Sequence, residues 1–211
     1  RTMSGTGVCA RGRQATPHRP GRAGQAHAPA MTAASGGGIL CRMTNYICFT
    51  CGAQQAESEG PPERCIICED ERQYVGPAGQ RWTTLEGMTG AGYRNQFREV
   101  RDEPGLWSIN TQPRFAIGQR ALLVQTPGWN FLWDCITYID EATVERVREL
   151  GGLAGISVSH PHFYSSMIEW SHAFGGVPVY IPGADAEWVV RPDPVVQWYE
   201  GSQEVLPSLT L

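Results

Sequence analysis

Apolar and polar positions along this chain change character at about residue 105. Beyond it, short apolar runs alternate with turn signals. The stretches 106–109, 114–117, 121–126 and 129–134 each read as a strand, the last two joined by Pro127-Gly128, so a β-meander is predicted. A helical pattern follows. Asp140 is placed to cap it, Ile139 and Val144 occupy staple positions, and Val144, Val147 and Leu150 share one face before Gly151-Gly152. The partly β-branched run 153–158 reads as a buried strand. A second helix is predicted from Ser166, where Ser166 and Glu169 match a capping box and Met167, Trp170 and Phe174 form a stripe that Gly175-Gly176 ends. Residues 177–181 read as another strand, 185–190 as a short helix, and 204–206 and 209–211 as strand starts.

The earlier sequence behaves differently. Residues 1–42 are rich in Ala, Gly, Arg, Pro, Ser and Thr without periodicity, the pattern of a disordered basic leader. Met43 stands just before the first orderly stretch, so we read the leader as an upstream extension of the reading frame rather than a transit segment. Residues 43–80 form a small cysteine-bearing unit, and 81–104 a connector with one short helix. The chain opens on Arg1 and stops in mid-pattern at Leu211, the expectation for a C-terminally truncated fragment.

The cysteine-bearing unit carries the most specific spacing. Cys48-Phe49-Thr50-Cys51 and Cys65-Ile66-Ile67-Cys68 are two C-x-x-C turns, each presenting two thiolates from one tight loop, and together they supply four soft ligands for a tetrahedral ion. Gly52 suits the turn after the first pair. The unit resembles zinc-ribbon and rubredoxin-like modules. Structural zinc is the first expectation and iron the second, because the gap between the pairs is short for a rubredoxin.

The second candidate site lies between the strand 153–158 and the following helix, at Ser159-His160-Pro161-His162-Phe163-Tyr164-Ser165. Pro161 biases His160 towards extended backbone, where residues i and i+2 point to one side, so the two imidazoles are expected to converge. Two converging imidazoles begin a metal site. Glu169, on the same helix face as Ser165, is a possible substitute ligand, with its capping role the preferred reading. Cys135 reads as a small buried residue, His172 as a surface residue, and the tryptophans as core or pocket wall.

The order meander, Asp after a strand, helix, strand, H-x-H, helix, strand resembles the metallo-β-lactamase fold over residues 105–211. The fold class implied is α/β: a partial αββα metallo-β-lactamase sandwich preceded by the zinc-ribbon module. The resemblance implies a metal-dependent hydrolase in which His160 and His162 hold zinc or another divalent ion. Asp134 would match the acidic residue that supports that site. The family motif H-x-H-x-D-H places its Asp at Tyr164 and its last His at Ser165, so the usual second-metal ligands are replaced, and Tyr164 becomes a candidate for hydrogen bonding to substrate or bound water. The family's third His would fall beyond Leu211, so the fragment itself is expected to be inactive, with apolar faces and strand edges left uncovered.

Charge bounds the partners. Residues 1–42 carry six Arg and no acid; residues 43–211 carry eleven Arg against twenty-one acids, and there is no Lys. A negative folded part argues against nucleic acid and against an anionic membrane surface, and no apolar run is long enough to span a bilayer. The expectations are a cytoplasmic location and a small-molecule substrate; the sequence specifies no oligomeric state. Two other readings remain: a non-catalytic zinc-binding interaction protein on a degenerate hydrolase scaffold, and electron transfer through iron in the four-cysteine site.

Overall fold

The computed structural model describes residues 42–69 and 75–211. The expected disorder of the leader concerns residues outside that range, apart from Arg42. Thr44–Cys48 (β1) pairs antiparallel with Gln54–Ser58 (β2) and with Trp82–Thr83 (β3), giving a small sheet in the order β2-β1-β3. Leu85–Gly90 (α1) follows, its first turn capped by the Thr84 hydroxyl, which accepts from Gly87 N.

Arg94–Glu99 (β4), Leu106–Gln112 (β5), Arg120–Gln125 (β6) and Asn130–Trp133 (β7) form the meander. Glu141–Glu149 (α2), Gly155–Ser157 (β8), Met167–Ala173 (α3), Val179–Pro182 (β9) and Val196–Tyr199 (β10) continue the chain with parallel pairing, and Glu204–Leu206 (β11) turns back on Leu209–Thr210 (β12). One seven-stranded mixed sheet results, in the order β10-β9-β8-β7-β6-β5-β4. The protein is thus a mixed α/β structure.

Period-2 alternation explains the core. Ile109, Ala121, Leu123, Leu132, Ile156, Val179 and Ile181 face one side of the sheet and are essentially inaccessible. Val147 of α2 and Met167, Ile168 and Trp170 of α3 pack into the same cluster, so both helices cover that face. Trp170 is the largest of these side chains, and its Nε1 donates to Ile136 O at 3.0 Å, which lets its polar atom be buried without loss. The opposite face is less covered: Leu122, Val124 and Tyr180 are half-buried and Trp133 is 36% exposed.

The predicted cap of α2 forms: Asp140 Oδ1 accepts from Thr143 N at 2.8 Å. Its predicted end forms too. Gly151 lies at φ +114°, and a Cβ there would meet Asn130 Nδ2 at 2.7 Å; that amide donates to Leu150 O and Gly152 O and ties the helix end to β7.

Four readings are corrected. Residues 114–117 are not a strand: Arg114 Nη2 donates to Ile117 O, Gly118 N donates to Phe115 O, and Ala116 has φ +48°, so the run is a closed turn. Ser166 does not cap α3; its hydroxyl donates to Thr137 O and Ile136 O, while Glu169 pairs with Arg191. The stretch read as a connector contains β4, an edge strand of the large sheet. The short helix read at 185–190 is a 3₁₀ turn at Gly183–Trp188. No helix among the described residues is long and apolar enough to cross a membrane.

Parallel pairing decides where chemistry sits. The C-terminal ends of β7, β8 and β9 all open on the same side of the sheet, and the loops that leave them carry Asp134, His160, His162 and Asp185.

Candidate functional site

Two clusters of ligand-type side chains lie near that edge. In the first, β1 ends at Cys48, a tight turn brings in Cys51, and Gly52 at φ +82° swings the chain into β2. Any side chain at Gly52 would strike Thr137 Oγ1, whose hydroxyl donates to Gly52 O at 2.9 Å. Cys65 and Cys68 flank and enter the 3₁₀ turn Ile66–Glu69. The Sγ atoms of Cys48 and Cys68 are 3.5 Å apart, those of Cys51 and Cys65 3.7 Å, and all four lie within 4.8 Å of one another. An ion with sulfur ligands at about 2.3 Å in a tetrahedron has S···S edges of about 3.8 Å, so the four cysteines fit such an ion. They could hold a metal ion.

Hydrogen bonds prepare the cluster for charge. Thr50 N and Cys51 N approach Cys48 Sγ at 3.3 and 3.4 Å, and Gln80 Nε2 at 2.8 Å. S–H donation from Cys51, then Cys65 and Cys68, pushes the Cys48 thiol far below its ordinary pKa, while the same shared hydrogen bonds push Cys51 and Cys68 up. Cys135 is the opposite case, buried alone with its pKa pushed up by desolvation, and it is inert.

The second cluster is the H-x-H loop. Asp134 ends β7 at φ +61°, a left-handed conformation that Asp tolerates better than most residues. Its Oδ1 accepts from Ser159 N at 2.8 Å and Ser159 Oγ at 2.7 Å, which fixes the chain just before His160. His160 is extended as predicted, with φ −165° and ψ 149°. His162 is not in an extended segment: it sits in the 3₁₀ turn Pro161–Phe163. That turn, rather than strand alternation, brings the imidazoles together, with Nδ1 to Nδ1 at 3.0 Å and the rings stacked at 4.9 Å. His162 N also donates to His160 Nδ1, at 3.2 Å.

Two nitrogens about 2.0–2.1 Å from one tetrahedral ion would lie about 3.4 Å apart. The observed pair is slightly tighter, close enough to share a cation after a small ring movement, and two neutral imidazoles are an apt donor set for a divalent transition ion. His160 is exposed and His162 is 7% exposed, so the pair has one open and one buried side.

A cavity of about 260 Å³ opens in front of the pair, lined by Ile67, Ser159, His160, Pro161, His162, Asp185 and Trp188. Ile67 comes from the second cysteine turn, so the four-cysteine unit supplies one wall of the histidine cavity. Gln119 links the two clusters directly, its Nε2 donating to both Cys51 O and His162 O. Gln54 N donates to Ser165 O at 2.9 Å from the same unit.

Tyr164 is 2% exposed, and its hydroxyl has no hydrogen-bond partner in range. Burial first, and then the nearby Asp185 carboxylate, push its pKa up, so the phenol stays protonated. Ser165 donates to Cys135 O at 3.3 Å. Glu169 is engaged by Arg191 at 2.8 Å and by Gln54 Nε2 at 3.4 Å and does not line the histidine cavity, so it is not a ligand candidate. His172 lies at the surface against Asp193. Gln119, Ile67, Asp185 and Trp188 were not legible in the sequence, because no local spacing marks residues that meet only through the tertiary fold.

No known family profile matches the chain. It is 50% identical over 170 residues to the uncharacterized protein YmaE of Bacillus subtilis (strain 168), an alignment covering 80% of this chain and 61% of that protein. The chain therefore spans about three fifths of the length of this relative. Among solved structures, the DIM-1 metallo-β-lactamase aligns with a TM-score of 0.41 at 15% identity, over 54% of this chain and 55% of that one. The same metallo-β-lactamase exposed to ceftazidime aligns with a TM-score of 0.41 at 16% identity, over 54% and 55%.

Proposed function

We propose that this chain is part of a metal-dependent hydrolase whose fold is of the metallo-β-lactamase kind, an αββα sandwich of which these residues supply the first half, with the four-cysteine unit as a structural zinc ribbon. The observation that carries the reading is the His160–His162 pair, with Nδ1 atoms 3.0 Å apart, in a cavity at the C-terminal ends of parallel strands. His160 and His162 would hold a divalent ion there. When bound, such an ion supplies Lewis-acid activation of water and of a scissile ester, thioester, amide or phosphoester group.

The chain's own residues prepare the pocket. Asp134 holds Ser159 and so aims His160, Gln119 holds the backbone at His162, and both act by positioning. Ile67 and Trp188 exclude water from one wall and favour a small-molecule substrate with an apolar group beside the reacting centre. Four soft donors make zinc the first choice for the cysteine cluster and iron the second; a visible thiolate-to-iron absorption band would move the reading towards electron transfer.

The test is elemental analysis of the full 211-residue chain and of its His160→Ala/His162→Ala variant, followed by hydrolysis of nitrocefin, p-nitrophenyl acetate and bis-p-nitrophenyl phosphate with zinc, manganese or cobalt. The expected result is one more metal in the parent than in the variant, with any turnover confined to the parent. Equal metal content in both would sink the reading.

A second reading, a zinc-binding interaction protein on a degenerate scaffold, draws on Tyr164 and Ser165, which stand where the family resemblance expects second-metal ligands and are committed to internal packing and to Cys135 O. It would gain if a partner captured by the parent were retained by His160→Ala and lost by Cys48→Ser.

A further inference from the structure

A reactive metal site takes about three protein donors, and the H-x-H pair supplies two. The same cavity wall carries one further anionic oxygen donor, Asp185. Its position follows from the sheet. β8 and β9 are parallel neighbours, His160 lies three residues beyond the last residue of β8, and Asp185 three residues beyond the last residue of β9. Both loops leave the same edge and face one another across the cavity.

A second, independent feature points to the same place. The Tyr164 hydroxyl is buried with no well-formed hydrogen bond, and the Asp185 carboxylate lies beside it. A buried O–H beside a carboxylate is what orients a ligating carboxylate in metal sites, and its loss there costs about 10–100-fold in affinity. Ile67 and Trp188 complete a partly apolar surround in which an anionic donor interacts strongly with a cation.

We propose that Asp185 is the third protein ligand of the His160–His162 ion, with Tyr164 orienting its carboxylate. This rests on the hydrolase reading and deepens it by giving the ion a complete donor set within this chain: two imidazoles and one carboxylate, suited to a divalent first-row transition ion. Among the described residues, the four cysteines alone form a group of three or more donors drawn within 4.8 Å, so Asp185 closes on the ion by turning its side chain on the 3₁₀ turn Gly183–Trp188. Tyr164, at the position where the resemblance expects a ligand, becomes a positioning residue instead.

The test is a cobalt(II) titration of the full chain with its cysteine site already filled with zinc, read by visible d–d absorption and by elemental analysis. The parent should take up one cobalt. Asp185→Asn should weaken that binding at least tenfold with an unchanged near-ultraviolet circular dichroism spectrum, Asp185→His should restore it by returning a donor atom, and Tyr164→Phe should weaken it about 10–100-fold. If Asp185→Asn binds cobalt like the parent while His160→Ala/His162→Ala does not, Asp185 is no ligand and the proposal falls with the hydrolase reading intact. A loss that Asp185→His does not reverse makes Asp185 structural and also overturns it. A parent that binds no cobalt overturns both readings together.

Discussion

The two clusters of ligand-type residues are built on opposite plans. The cysteine cluster is closed: four identical donors, all buried, come from two tight turns and lie at nearly tetrahedral spacing, with N–H groups directed at Cys48. The histidine cluster is open: two donors, one buried and one exposed, lie beside a cavity of about 260 Å³ and carry a third candidate donor across it. Closed donor sets suit ions that hold a fold together, and open ones suit ions that meet a substrate. The contrast also separates what each cluster contributes to stability from what it contributes to chemistry.

The largest effect should come from breaking the closed cluster. Cys51→Ser, or stripping the metal with a strong chelator, should cost about 4 kcal/mol or more in urea unfolding, because loss of a structural metal belongs to the few mechanisms that reach that size. His160→Ala, at an exposed position, should stay within about 0.5 kcal/mol in the same assay. Equal losses at the two positions would erase the distinction between the clusters.

Gln119 sharpens the comparison by sitting between them. Gln119→Leu leaves the Cys51 and His162 carbonyls without their donor, and the expected cost is about 2–6 kcal/mol, at roughly 1–3 kcal/mol for each buried unsatisfied group. Metal affinity should fall at both clusters, measured by competition with a colorimetric chelator; a fall at only one would mean that the bridge transmits nothing.

Asp134 tests the open cluster alone. Asp134→Ala combines a left-handed backbone angle with the loss of two hydrogen bonds to Ser159, about 2 kcal/mol in unfolding. Asp134→Gly loses the bonds without the strain and should be the milder change, whereas the reverse order would show that backbone conformation does not matter there. A smaller effect than at Asp134 is expected at the partly buried Arg191–Glu169 pair, where the side chains are 16% and 31% exposed: Arg191→Ala should cost about 1–2 kcal/mol and leave both metal affinities unchanged.

How much of this was readable in advance follows from what each residue reports. The strands and helices around β5 to β9 announce themselves because one face of each is buried, which forces alternation or a helical stripe, and the two C-x-x-C turns announce themselves because their chemistry is local. β4 does not: an edge strand with Phe97 as its lone large apolar residue pairs through its backbone and needs no pattern. β10 follows two prolines and leaves Trp198 about half exposed, so it too lacked a signal. Phe115, Ala116 and Ile117 mimicked a strand, but Pro113 and Gly118 bend the chain on either side of them. At the histidine loop the sequence expected the imidazoles to meet through extended backbone, whereas a 3₁₀ turn brings His160 and His162 together. The walls of their cavity, Ile67, Asp185 and Trp188, come from segments more than a hundred residues apart and meet only after folding.

Ile67 belongs at once to the buried packing around the four cysteines and to the lining of the histidine cavity. The four-cysteine unit is therefore not a portable part. Exchanging residues 43–80 for another four-cysteine unit of equal stability would preserve the four thiols yet redraw the shape of a pocket formed by residues far downstream. Substitutions in one segment then constrain which substitutions the other tolerates, so the two stretches have to diversify in step, as a single heritable piece.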